Sequence, residues 1–224
     1  QQPNPNPQLH TMRALLAAFT AWVRDDVAPP DSVVPRIADG TLVAPDQVRF
    51  PPIPANEYGG VPREAVRFLA VHNPLGVLDY GPLWNAADSS GVITVEPPRV
   101  GTARYGILVP QVDADGNDLG GVRSLHQRVP VGTYTGWNLG RPERFEDGFC
   151  SLQGSFIPFA RSRAEREAAG DPRPSLEERY PTPAAYAEAV RRAAGTLVAA
   201  RLLLAEDAAA LIARAEREGV RAGP

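Results

Sequence analysis

Lysine is missing from this sequence: all 23 cationic side chains are arginine. GC-rich coding is the favoured explanation, with an arginine-specific role second. Cysteine is nearly missing. The single Cys150 excludes an internal disulfide and any metal cluster built on cysteine. Only three histidines occur, His10, His72 and His126, and none stands in a His-x-x-x-His or similar pair. A metal site formed by this chain alone is therefore not expected, and neither is a cofactor. No apolar run approaches the roughly 20 residues of a membrane span. With a net charge of −3 and no basic cluster, nucleic acid is not the expected partner. No leader is visible either: the chain opens Gln-Gln-Pro-Asn-Pro-Asn-Pro, without Met, which suggests a processed or truncated polypeptide. The compartment stays open, a secreted or periplasmic one included.

Proline is what the chain has in excess, 24 in 224 residues, about 11% and roughly twice the usual share. The prolines punctuate residues 29–130 and predict short strands and irregular loops there. Apolar content of 43% and charge of 22% are ordinary for a soluble globular chain. Its length allows one large domain or two small ones.

The first helix is the most informative stretch. From Leu9 to Arg24 the large apolar residues fall at Leu9, Met12, Leu15, Leu16, Phe19, Trp22 and Val23, the spacing of one helical face. Between them stand mostly alanines, so only Arg13, Thr20 and Arg24 leave a wettable stripe. Burying such a face is worth on the order of 10–20 kcal/mol at about 1.5–3 kcal/mol per large side chain. Either the following residues wrap this helix, or it packs on a polypeptide outside the chain.

Around it, residues 1–7 read as an extended Pro/Asn linker, and Pro29-Pro30 stops the helix. Strand pieces are expected between Val33 and Phe50 around an Asp39-Gly40 turn, and at Arg67–Val71 and Val92–Val95. A hairpin is expected from Tyr105–Val112 to Gly121–Leu125 through Asp113-Ala-Asp-Gly-Asn-Asp118, with a further strand in Val129–Trp137. Ser162 caps a short helix closed by Gly170. Ser175-Leu-Glu-Glu178 is a capping box. Thr182-Pro183 opens a helix to about Leu204, and a last helix runs from Ala205 to about Glu218. Three regions follow: 1–30, 31–138 (β-rich) and 139–224 (helical).

Candidate chemistry is sparse. No Gly-x-Ser-x-Gly elbow exists, and Ser89, Ser90 and Ser155 lack the paired glycines it needs. His10 is the one candidate catalytic histidine, while His126 reads as a loop residue. Asp113, Asp115 and Asp118 loosely match a calcium loop but lack its twelfth-position Glu, since Ser124 stands there, so a hairpin turn is preferred. Gly132-Thr-Tyr-Thr-Gly-Trp-Asn138 suits a close backbone crossing flanked by aromatics, with lining of a ligand cleft as the alternative. Arg161, Arg163, Arg166, Arg173 and Arg179 are expected to pair with Glu165, Glu167, Glu177 and Glu178.

Several strings then fit together. Trp22-Val-Arg-Asp-Asp-Val-Ala-Pro-Pro30 resembles the Trp-Val-x-x-Gly-x-Ala-Pro ending of the last core helix in tannase-like α/β-hydrolases, with Asp26 in place of the glycine. Arg36–Val43, Gly132–Asn138, Phe156–Ala160 and Asp171–Tyr180 together resemble the C-terminal part of the bacterial α/β-hydrolase domain family. The resemblance implies an α/β fold class. The chain would be the C-terminal part of an α/β-hydrolase fold, supplying its last core helix, a β-rich accessory region and a helical tail. It implies serine-esterase acyl transfer, with the Ser-His-acid triad on a part that precedes residue 1. No triad residue carries over. The expected partners are that N-terminal core, as chain or fragment, and a small-molecule ester, with Tyr134, Trp137 and Asn138 as candidate cleft walls. Alone, the chain is expected to be inactive. The competing reading is a non-catalytic β-rich binding domain that wraps its own helix.

Overall fold

The structure, a computed structural model, describes residues 2–54, 65–66, 75–88, 91–139 and 149–222. The first half of the chain runs β1 (Gln2–Pro3), α1 (Leu9–Asp25), β2 (Leu42–Val43), β3 (Ile53–Pro54), β4 (Ala65–Val66), β5 (Gly76–Asp79), β6 (Arg99–Arg104) and β7 (Val109–Pro110). Then come α2 (Leu125–Arg128), β8 (Gly132–Thr135), β9 (Asn138–Leu139), β10 (Phe149–Ser151), β11 (Ser155–Pro158), α3 (Arg163–Ala169), α4 (Leu176–Arg179), α5 (Pro183–Ala199) and α6 (Ala205–Glu218). Every strand pairing among the described residues is antiparallel.

The helices begin where their capping residues stand. The Ser162 and Ser175 side chains each accept from the backbone N–H three residues on, and Thr182 accepts from Ala185 N–H at 3.0 Å with Pro183 behind it. One helix end departs from expectation. α5 stops at Ala199, because Arg201 takes φ +60° and the reversal turns Leu202 and Leu203 into the core. There they join Tyr186, Val190, Ala194 and Leu197 of α5 and Ala208 and Ala215 of α6, packed against Leu125, Val129, Val131 and Tyr134. Burial of two leucines outweighs another turn of helix.

β8 and β11 pair from Thr135 opposite Ser155 to Gly132 opposite Pro158. The pairing joins residues 132–135 to residues 155–158. The outer edge of β11 carries β1. The outer edge of β8 is closed by a side chain: Asn117 Nδ2 donates to Gly132 O at 3.2 Å, and its Oδ1 accepts from Tyr134 N–H at 2.7 Å. A Cβ at Gly132 would lie 2.6 Å from Ile157 O and strike the Phe156 ring, so this glycine allows the close crossing expected of it. Gly136 meets nothing within 4 Å. The stretch expected as a linker is extended but tied down, with Asn4 Nδ2 donating to Thr135 O at 3.0 Å and Ser124 Oγ to Asn6 Oδ1.

Three strand expectations give way. The Asp113–Asp118 turn forms, with Val112 bridging Asp118. Gly121 at φ +82° then leads the chain away, and Leu125 is buried at the start of α2 instead of pairing in a hairpin. β7 pairs with β2. Val92–Val95 is not a strand: the Thr94 and Val95 N–H groups both go to Tyr80 O. Gln47 closes a single 3₁₀ turn begun by Pro45. Arg67–Val71 lies outside the described residues.

α1 ends on Asp26 in the left-handed region, φ 54° and ψ 28°, its N–H bonded to Trp22 O at 3.1 Å. This is the position at which the resembling pattern carries glycine, and the geometry explains why. Asp tolerates it better than most residues. Asp26→Val is expected to cost about 1–2 kcal/mol, while Asp26→Gly stays within about 1 kcal/mol of the parent; urea midpoints of the two variants check this.

Candidate functional site

α1 turns its small residues inward and its large ones outward. Ala14 (3% exposed) and Ala18 are buried against the rest of the chain. Arg13 on the same side pairs with Asp207 and, at 3.4 Å, with Glu206, both at the start of α6. Arg201 Nη1 donates to Ala28 O at 2.7 Å and fixes the segment that leaves the helix. Leu9, Met12, Leu15, Leu16 (65%), Phe19, Trp22 and Val23 (70%) all face solvent. Val27, Val33, Val34 and Ile37, which follow the helix in the chain, are exposed as well. None of the described residues after α1 wraps its large-residue face. Seven large side chains exposed in one stripe form a contiguous apolar face, unlike the singly scattered apolar residues that are normal on a monomer's surface.

Three of the four strings that carried the resemblance meet around Arg173. This guanidinium is 2% exposed. It pairs with Asp171 (Nη2 to Oδ2 2.6 Å), donates to Thr133 Oγ1 at 2.8 Å and Ile157 O at 3.1 Å, and reaches Pro158 O at 3.2 Å. It thus ties Asp171–Tyr180 to both β8 and β11. Arg179 lies 4.3 Å over the Phe159 ring and pairs with Asp115, whose backbone oxygen accepts from Thr133 Oγ1. The fourth string, Arg36–Val43, joins through β2–β7 and the Gln111 N–H to Thr41 O bond. Arg163 and Arg166 pair with Glu167 and Glu178 as expected. Arg173 and Arg179 do not: Arg173 takes Asp171, two residues before it, and Arg179 takes Asp115, which the fold brings near. The buried, strand-linking role of Arg173 is what sequence reasoning missed. Its signal was an arginine fenced by Pro172 and Pro174 with an aspartate two residues before it.

The candidate residues fall in three places. Tyr134 and Trp137 are buried, Trp137 packing on Phe50 with centroids 5.6 Å apart, and Asn138 Nδ2 donates to Gly154 O at 3.3 Å. Ser155 is fully buried with Oγ donating to Trp137 O. Asp113 works inside its own turn, Oδ1 accepting from Asp115 and Asn117 N–H, while Oδ2 pairs with Arg123 at 2.6 Å. Among the described residues no three His, Cys, Asp or Glu side chains are grouped to hold a metal. His72, Ser89 and Ser90 lie outside the described residues. His10 stands in the first turn of α1 and, with Thr11, Ser124, Leu203 and His126, lines a cavity of about 20 Å³, room for little more than a water.

His126 is not a loop residue. It sits in α2, edge-on to Tyr134 at 5.8 Å, and burial pushes its imidazole down to about 4, helped by Arg214 and His10. Burial pushes the Asp118 carboxyl up to about 6, opposed by Arg123 and reinforced by Asp113. These two shifts act on stability with opposite signs. The stability His126 contributes is complete above 6.5, its unfolded value, and is lost as pH falls towards 4. That of Asp118 is complete below 3.8 and is lost as pH rises to 6. Between pH 4 and 6 they offset each other. Asp118→Asn, which leaves the His126 contribution alone, is therefore expected to make the urea midpoint rise with pH in that window, and His126→Phe to make it fall.

An open groove of about 780 Å³ lies between β11, α4 and the turn into α3. Val131, Phe156, Phe159 and Leu176 give it an apolar floor, and Arg161, Glu165, Glu177 and Tyr180 a polar wall. Neither Tyr134 nor Trp137 lines it.

A family model described as alpha/beta hydrolase domain matches residues 1–213. The chain belongs to that family. No curated protein and no solved structure matches it. As an alpha/beta hydrolase domain protein it stands in the hydrolase superfamily, and its mix of small sheets and helices is compatible with an α/β class. No described helix is long and apolar enough to cross a membrane.

Proposed function

We propose that this chain is the docking part of a serine esterase of the alpha/beta hydrolase domain family. In this reading α1 seats its large apolar face on a catalytic core that precedes residue 1. The core supplies a serine nucleophile, a histidine base, an acid that orients it and an oxyanion hole. The observation that carries the reading is the division of α1, with alanines buried against its own chain and seven large side chains that the described residues leave uncovered. Two facts support it: no nucleophile elbow occurs in the 224 residues, and the Ser155 hydroxyl is spent on a backbone carbonyl. Tyr134 and Trp137 then act behind the cleft as packing for the strand that leads to Asn138, and an ester is the substrate class.

A fluorophosphonate probe on the complete gene product tests this. The expected result is one labelled serine outside residues 1–224, with hydrolysis of a p-nitrophenyl ester abolished by labelling. A label inside 1–224 would overturn the docking role. Unlabelled protein without esterase activity would favour the non-catalytic binding domain.

A further inference from the structure

β1 places Gln2 opposite Phe156 and Pro3 opposite Ser155, antiparallel to β11. Chain arriving before Gln2 along this line travels towards Ile157 and Pro158. The ladder cannot follow it there. Pro158 has no N–H to offer, and its carbonyl already accepts from Arg173 Nη2. Such a segment leaves the sheet beside Pro158, and the 780 Å³ groove opens at that point, with Gln2, Phe156, Pro158, Phe159, Ala160 and Arg161 among its lining residues.

The chemistry of the groove fits an extended peptide better than a charged ligand. Glu165 is spent on the Arg161 and Ser162 N–H groups, Glu177 on the Arg163 N–H, and the Tyr180 hydroxyl on Pro130 O. What remains is an apolar floor and the exposed Arg161 guanidinium, which has no partner among the described residues and is suited to a backbone carbonyl. We propose that the groove seats the residues immediately N-terminal to Gln1, which run on from β1 as an extended strap. The proposal rests on the reading that a catalytic core precedes this chain. It adds how the two are joined: the connection is clamped by β1, Asn4, Asn6 and the groove, and so sets where α1 meets the core.

The test is a photo-crosslinker in the complete gene product, Ala160→benzoylphenylalanine, with the exposed α3 position Ala168→benzoylphenylalanine as control. On irradiation, the Ala160 variant is expected to lose the unlinked proteolytic peptide that ends just before Gln1, and mass spectrometry should recover that peptide joined to position 160. The Ala168 variant is expected to keep it. With upstream residues confirmed by intact mass, links from position 160 to any other segment, to a second copy, or to nothing overturn the strap and leave the docking reading standing. An intact mass of 24.0 kDa, that of residues 1–224 alone, overturns the N-terminal core and the strap with it.

Discussion

Replacing Arg173 with methionine is expected to cost about 3–5 kcal/mol of folding stability, seen as a lower urea midpoint at an unchanged slope. The side chain is not a surface cation that found a partner. It lies under the β8–β11 pair, with Asp171 (5% exposed) beside it and the Phe159 ring 5.2 Å from its guanidinium carbon. Methionine fills much of the volume but leaves the Asp171 carboxylate with a single bond, from the backbone N–H of residue 173 at 2.9 Å. It also strips a donor from Thr133, Ile157 and Pro158 at once. An uncompensated buried charge outweighs anything the thioether regains by packing. Lysine does not rescue, because one ammonium cannot span a carboxylate on one side and two carbonyls and a hydroxyl on the other. Asp171→Leu combined with Arg173→Met is therefore expected to be more stable than Arg173→Met alone, because the double change removes the charge along with its partner. If Arg173→Met unfolds outright, this ordering is read from the pair Arg173→Lys and the double variant. A single variant within about 1 kcal/mol of the parent would show that the pair does not organise this sheet.

Local signals were legible in the sequence, and distant ones were not. α1 ran from Leu9 as its apolar spacing dictated, and α3, α4 and α6 began at their expected positions, because capping and periodicity act within one or two turns. The Asp113–Asp118 turn formed for the same reason. Strand partners were illegible. Val109-Pro110 meets Leu42-Val43 across more than 60 residues of chain, and no local pattern in either two-residue strand announces the other. Leu202 and Leu203 ended α5 early because the core claimed them, and His126 was drawn into that core with its imidazole held neutral. The strings that carried the family resemblance were recognised without a physical reason. The structure supplies one: they converge on Arg173, Asp115 and Gln111. Of the candidate site, the unpaired helix face was legible in the apolar spacing from Leu9 to Val23. Arg173 and the groove required coordinates.

That helix face carries the second large prediction. In the complete gene product, Leu16→Asp with Phe19→Asp is expected to weaken the seat of α1 on the core by roughly 5–10 kcal/mol, combining two lost burials of about 1.5–3 kcal/mol each with two carboxylates left to be desolvated. The measured consequences are ester hydrolysis falling by at least tenfold and early loss of hydrogen-exchange protection in α1. The α5–α6 hairpin should keep its protection, since both side chains are more than half exposed on the far side of α1 from it. The opposite face gives the reciprocal result. Ala14→Leu and Ala18→Leu add bulk where α1 lies against its own chain, and overpacking there is expected to cost about 1–3 kcal/mol and to lower protection in α6 first, beside the Arg13–Asp207 pair. A helix that served only this chain would respond in the reverse order, sensitive at neither Leu16 nor Phe19 and indifferent to the core's activity. Unchanged hydrolysis in the Leu16→Asp, Phe19→Asp protein therefore removes the docking role. A loss of hydrolysis with the α5–α6 core intact assigns the exposed stripe to the interface, because the two substitutions alter a surface that the described residues of this chain leave uncovered.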